Sequence, residues 1–287
     1  MAVRVNADAY FSIGAAHVTS GVACQDYAMA GEDYGIVCDG CSSGGRTDIG
    51  ARMLALELDH LLSQHTTTEP LGESHWTMLA ALAKQGSRLN ADDLLATMLY
   101  VRARDGTAWA QVMGDGVVAI KYANGRIEME RFMWNEGAPM YPAYLVGQLY
   151  EFYAFHDTER PFQRESWECS SDGTYQEGSV LNYPATSATA FGINGASVPF
   201  DKSVAVVAVF SDGIGEVEGV DWKDAVVEAM AFKTFSGAFV RRRMIRAVKT
   251  WEKEGHHPKD DISMAALSFG NCSQSPEGGV GFNHGEV

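Results

Sequence analysis

The sequence predicts an α+β fold in which the β-structure is antiparallel. Two dipeptides, Asp105-Gly106 and Asn124-Gly125, each stand between strand-like runs. Such pairs supply the positive φ that tight hairpins need, so they predict strands that fold back on themselves. Elsewhere apolar residues recur at helical spacing, as at Leu54, Leu58, Leu61 and Leu62, which marks a helix with one buried face. The hairpins argue against a doubly wound nucleotide-binding sheet, whose strands are parallel.

Taken in order, Tyr10 to Ala16 has strand-like composition and leads into a loop around Gly21. Tyr34 to Cys38 is a short buried strand that ends in a turn at Asp39-Gly40. The Gly-rich loop Cys41 to Gly45 follows, and a helix begins near Thr47 or Asp48. A second helix is expected from Ser74, a good N-cap, with Trp76, Leu79, Leu82 and Ala83 inward. The meander then comprises Leu94 to Arg104, Thr107 to Met113, Val117 to Tyr122 and Arg126 to Phe132. From Met133 to Thr186 the pattern is weak: Gln148 to His156 reads as a strand, and Glu159 to Glu177 as a long polar loop of the kind that borders a site. Val204 to Phe210 is an apolar strand, and helices follow at Trp222 to Phe232 and Gly237 to Lys253. Ile262 to Phe269 is the last strand. These elements predict a single domain over residues 1–270 and a disordered Gly- and Ser-rich tail over 271–287.

Length and composition are those of an ordinary globular chain: 287 residues, 46% hydrophobic and 21% charged. No apolar run approaches the ~20 residues of a membrane helix, and the start shows no signal peptide, so neither a membrane nor export is expected. The net charge of -15 repels phosphate backbones and argues against a nucleic-acid partner. The one basic run, Arg241 to Arg243, reads as a solvated helix face. Five cysteines, an odd number, make a disulfide framework improbable and point to a reducing cytoplasm.

Carboxylates recur at strand ends. Asp39 and Asp212 each end an apolar strand and precede glycine, and Asp260 and Asp261 enter the last strand. Asp26 precedes the strand that leads to Asp39, and Asp115 sits between two glycines inside the meander. Rigid strand ends can bring such groups to one edge of a sheet, where they cannot all stay ionised without a cation. Hard divalent ions suit oxygen donors. The triplet Ser171-Asp172-Gly173 repeats Ser211-Asp212-Gly213, but no apolar run precedes it, so it reads as a plain turn.

This ordered set resembles the metal-dependent serine/threonine protein phosphatases of type 2C. The motifs are Gln25-Asp26, Val37-Cys38-Asp39-Gly40, Gly114-Asp115-Gly116, Phe210-Ser211-Asp212-Gly213 and Asp260-Asp261-Ile262-Ser263. His17, Gly21 and Cys24-Gln25-Asp26 are similar to a bacterial branch of the family. The resemblance spans residues 8–269. It implies an α-β-β-α sandwich, two packed antiparallel β-sheets flanked by helices. It also implies two manganese or magnesium ions, held by Asp39, the Gly40 carbonyl, Asp212 and Asp260, with Asp26 behind them and a third ion at Asp115. The implied reaction is hydrolysis of a phosphomonoester by a water the metals share. A phosphoprotein substrate and a cognate serine/threonine kinase are the implied partners.

The family pattern is not complete. Gly21 stands where a phosphate-binding Arg is usual, which leaves His17 or Arg46 as the catalytic cation. Cys41 replaces a common His, Gly116 a Ser and Asp261 an Asn, and Trp134 to Tyr144 lacks the common flap signature. A catalytically weak pseudophosphatase that binds phosphoproteins is therefore the alternative function. A third is a thiol redox protein using Cys38 and Cys41, whose spacing is CxxC. His60, His65, His75, His156 and His284 read as solvated, and His256-His257 as a surface pair.

Overall fold

A computed structural model describes residues 3–64, 70–147, 149–155, 162–183, 193–199 and 203–271. His65, His156, His284 and residues 272–287 of the expected tail lie outside them.

Seven strands form one antiparallel sheet: β1 (Val3–Ser12), β6 (Gly116–Tyr122), β7 (Ile127–Trp134), β8 (Phe162–Cys169), β9 (Tyr175–Tyr183), β11 (Val204–Phe210) and β12 (Ile262–Asn271), in the order β1-β12-β11-β6-β7-β8-β9. Five form the second: β2 (Asp26–Ala30), β3 (Tyr34–Gly40), β4 (Ala96–Arg104), β5 (Thr107–Met113) and β10 (Ile193–Pro199), in the order β10-β5-β4-β3-β2. Helices α2 (Thr47–Gln64) and α3 (Glu73–Ser87) cover the five-stranded sheet, and α5 (Trp222–Ala229) and α6 (Phe239–Glu254) cover the seven-stranded one. Short helices α1 (Ala15–Ser20) and α4 (Leu149–Phe155) complete the set.

Side-chain alternation builds the four layers. Along β3, Val37 faces the other sheet, where it packs with Leu99, Val207 and Leu267. Its neighbours Ile36 and Cys38 face α2 and α3, against Leu54, Leu58 and Trp76. With period two, Asp39 falls on the side of Val37, at the rim of the space between the sheets. In the other sheet Val207 and Val209 face inward while Val206, Ala208 and Phe210 pack beneath Trp222, Met244 and Trp251. Strands buried on both faces read as continuous apolar runs, which is what Val204 to Phe210 shows.

The two expected hairpins form, with Asp105 and Gly106 at φ 47° and 82° in the first turn, but they do not make one meander: β4 and β5 pair in the five-stranded sheet and β6 and β7 in the seven-stranded one. Other expectations change as well. Gln148 to His156 is not a strand: Leu149, Phe152 and Tyr153 pack on the core while Tyr150 is exposed, a helical period, and α4 results. Much of the expected loop 159–177 is the β8–β9 hairpin, whose turn is Ser171-Asp172-Gly173. Helix α1 occupies part of the segment read as the first strand, which instead runs Val3–Ser12. The N-cap of α3 is Gly72 rather than Ser74, with the Gly72 N–H donating to His75 Nδ1 at 3.2 Å, and Leu82 faces solvent. Strand β10 has no counterpart in the sequence reading.

Candidate metal centre

The carboxylates named from the sequence come from both sheets. Asp39 lies at the end of β3, paired in register with Asp26 on β2. Asp212 opens the turn after β11, and Asp260 and Asp261 lead into β12, the strand hydrogen-bonded beside it. Asp115 fills the turn from β5 to β6, the connection that crosses between the sheets. Together Asp39, Asp115, Asp212 and Asp260, with Gly40, line one cleft of about 290 Å³. Cys41, Ser42, Ser43, Thr97 and Tyr141 share its wall.

Two glycines make the convergence possible. At Gly213 an added Cβ would fall 1.8 Å from the Asp261 carbonyl oxygen, so only glycine lets the Asp212 turn lie against the Asp260–Asp261 segment. Gly116 has φ 134°, and a Cβ there would meet the Phe210 carbonyl oxygen at 2.5 Å. The serine that the sequence resemblance would put there would be strained in this backbone.

The electrostatics are those of crowded anions. Burial pushes Asp39 well above the usual carboxylate range, and the charges of Asp26 and Asp212 push it the same way. Asp115 is raised likewise by burial and then by Asp212, with Arg131 acting in the opposite direction. Asp26 is pushed up to about 7, chiefly by burial. Its Oδ2 accepts from the Ser211 hydroxyl at 2.7 Å, while Oδ1 is buried with no partner. Thr97 Oγ1, on the cleft wall, is buried and unpartnered as well. No Lys, Arg or His is among the lining residues. Orphaned oxygens and hard carboxylate donors without a cation fit divalent magnesium or manganese.

Asp261 does a different job from its neighbour. Its Oδ1 accepts from the Gly14 N–H at 2.7 Å and its Oδ2 from the Gln25 N–H at 2.6 Å, with His17 Nδ1 2.9 Å away. One buried carboxylate thus ties the start of α1 and the entry to β2 to the entry of β12. His17, Asp260 and Asp261 have ligand-type atoms within 4.8 Å of one another, but the Asp261 oxygens are engaged with backbone. A second tie joins Gln25 Nε2 to Thr47 Oγ1 at 2.7 Å, at the head of α2.

A family model described as protein phosphatase 2C matches residues 13–139. A crystal structure of a bacterial serine phosphatase superposes with a TM-score of 0.55 at 10% identity, covering 94% of this chain and 100% of that one. The serine/threonine phosphatase Stp1 from Staphylococcus aureus superposes with a TM-score of 0.51 at 10% identity, covering 93% of this chain and 96% of that one. Among curated proteins none matches in sequence. Residues 13–139 are thus similar in sequence to the type 2C protein phosphatases. At this identity the structural likeness establishes the α-β-β-α fold of the type 2C phosphatases and leaves activity to the residues themselves.

The two cations offered in place of the type 2C arginine do not line the cleft. Arg46 is held by Asp93, which accepts from its backbone N–H at 2.7 Å and from its guanidinium at 3.4 Å, and the side chain is largely exposed. His17 lies behind Asp260, 3.9 Å from its Oδ1, and faces Asp261. Gly21 caps α1 in the left-handed region at φ 70°, with open space around it. Cys38 is buried on the helix side of β3, and burial pushes its thiol up, away from the thiolate that redox chemistry needs. Cys41 is half-buried on the cleft wall, its Sγ 3.1 Å from Ser43 Oγ, and all four described cysteines are free.

The sequence reading missed Thr97 and Tyr141 on the wall, Ser211 beneath Asp26, and the Asp261 tie. Only Ser211 carried a signal, as part of the Ser-Asp-Gly triplet. Asp172, in the matching triplet, is an exposed turn residue whose Oδ1 accepts from the Thr174 N–H at 3.0 Å.

Proposed function

We propose that the chain is a divalent-metal-dependent hydrolase of phosphoserine and phosphothreonine in proteins. One observation carries this: carboxylates from separate turns of both sheets converge on one cleft that no basic side chain lines. Asp39, Asp212, Asp260 and the Gly40 carbonyl would hold two manganese or magnesium ions, and Asp115 would hold a third. When bound, such ions lower the pKa of water and neutralise charge on phosphoryl oxygens. The chain's own residues orient that chemistry. Asp39 is the next-to-last residue of β3, after five buried residues, so its backbone is held firmly at the cleft. Asp26 is fixed through Oδ2 by Ser211, and its unpartnered Oδ1 would hold a water behind the ions. Tyr141 keeps its proton, because burial and then Cys41 push its hydroxyl up, so it is a donor on the cleft wall.

The experiment is hydrolysis of an aryl phosphate and of a phosphoserine peptide, with manganese and with chelator. Activity with manganese that chelator abolishes supports the proposal, and full activity after verified metal removal overturns it.

The absence of a basic residue among the lining residues, with Gly21 in the place of an arginine, favours a second reading: a type 2C-like module that binds phosphoproteins with little turnover. Metal binding by calorimetry without hydrolysis of either substrate would select it. The four described cysteines are free, which suits a reducing compartment, and no described helix is long and apolar enough to cross a membrane. The proposed place of action is the cytoplasm, opposing a serine/threonine kinase.

A further inference from the structure

The chain carries a net charge of -15, yet one pocket away from the carboxylate cleft is lined by cations. It lies between the 230–238 loop and α6, on the outer face of the seven-stranded sheet, and has a volume of about 60 Å³. Lys233, Arg242, Arg243 and Arg246 line it, on a floor that includes Phe232 and Phe239. By the measure in which one water needs about 10–15 Å³, this is room for a tetrahedral anion.

The cations are arranged rather than splayed. Arg242 donates to the Ser236 carbonyl at 2.7 Å and to Thr234 Oγ1 at 3.1 Å, which orients its guanidinium without neutralising it. Arg243 is paired with Glu228 at 2.6 Å. Lys233 and Arg246 have no carboxylate partner among the described residues. Lys121 approaches from the sheet, its Nζ donating to the Met230 carbonyl at 2.8 Å at the base of the loop. Burial, and then Arg243, holds its pKa down, which reports the positive field there. Among the described residues, Glu228 is the one carboxylate ion-paired with any of these five cations.

We propose that this pocket is a binding site for a phosphorylated side chain of a protein partner, separate from the carboxylate cleft. An oriented arginine fork with further cations beside it suits a phosphate dianion. Half-buried Phe232 and Phe235 lie beside the cations and offer apolar contact to a peptide, which free phosphate could not use. A nucleic acid is disfavoured because the rest of the surface is acidic. The proposal stands whether or not the cleft turns over.

The test is fluorescence anisotropy with a labelled peptide bearing one phosphoserine flanked by glycines, in excess chelator so that the cleft presents only carboxylates. Lys233→Glu/Arg246→Glu should weaken binding at least ~10-fold, and Lys233→Gln/Arg246→Gln should weaken it less. Lys233 and Arg246 are both exposed, and unchanged melting temperatures verify folding. The serine peptide should bind at least ~10-fold more weakly than the phosphoserine peptide, and inorganic phosphate should compete less well than unlabelled phosphopeptide. Wild-type affinity in the charge-reversed variant overturns the site. Equal binding of the two peptides overturns phosphate recognition. Inorganic phosphate competing as well as the peptide assigns the pocket to the free anion and overturns the protein partner.

Discussion

Asp26 stands directly opposite Asp39 in the β2–β3 register, with the Ser211 hydroxyl of the other sheet bonded to Asp26 at 2.7 Å. Two carboxylates from one hairpin are thereby held against Asp212, the residue after Ser211. That juxtaposition makes the metal-free protein a strained electrostatic object and sets its pH response.

Asp26 is raised from 3.8 to about 7 in the fold. A carboxyl whose folded value lies above its unfolded value gives stability that is present below the unfolded pKa and lost as pH rises through the folded one. In chelator, the melting temperature of Asp26→Asn should exceed that of the wild type by a margin that grows from about pH 4 to about pH 8. Manganese should shrink the margin. A margin independent of pH would show that Asp26 titrates normally.

Asp261 should matter for folding more than for chemistry. Asp261→Ala leaves the Gly14 and Gln25 N–H groups without their acceptor. Each buried unsatisfied donor costs about 1–3 kcal/mol, so a loss of roughly 2–5 kcal/mol is expected by denaturant unfolding. Asp261→Asn keeps one carbonyl oxygen and should lose less. A loss below about 1 kcal/mol in the alanine variant would mean that water replaces the carboxylate.

Much of this arrangement was legible in the sequence, and the reasons differ by element. Asp39 and Asp212 were visible because each ends an apolar strand, and the β4–β5 and β6–β7 turns because Asp105-Gly106 and Asn124-Gly125 each stand between two strand-like runs. The β8–β9 hairpin was hidden because β9 is an edge strand, exposed along most of its length. Its polar residues have no inward face to alternate against. Strand β10 joins the edge of the other sheet through a bulge, which breaks any period. The Asp261 tie spans 236 and 247 residues of chain, and no local pattern reports a contact of that range.

Arg46→Ala should leave the KM for an aryl phosphate within about two-fold of wild type, because Arg46 is engaged with Asp93 rather than facing the cleft. A tenfold rise in KM with kcat intact would return Arg46 to the substrate.

Cys41→Ser should retain hydrolysis to within about ten-fold, since the thiol lines the cleft and the proposed nucleophile is water. A loss beyond ~100-fold in a folded variant, roughly 2.7 kcal/mol, would reopen a thiol mechanism.

The central claim is that Asp39 organises the catalytic cations. Asp39→Asn is nearly isosteric but removes one charge, and an amide cannot bridge two metals as a carboxylate does. Steady-state hydrolysis of an aryl phosphate at saturating manganese, in Asp39→Asn and Asp172→Asn side by side, tests it directly. Turnover should fall by about three orders of magnitude, ~4 kcal/mol, in the first and stay at the wild-type value in the second. Wild-type turnover in Asp39→Asn, or equal losses in the two variants, would contradict the placement of the metal centre.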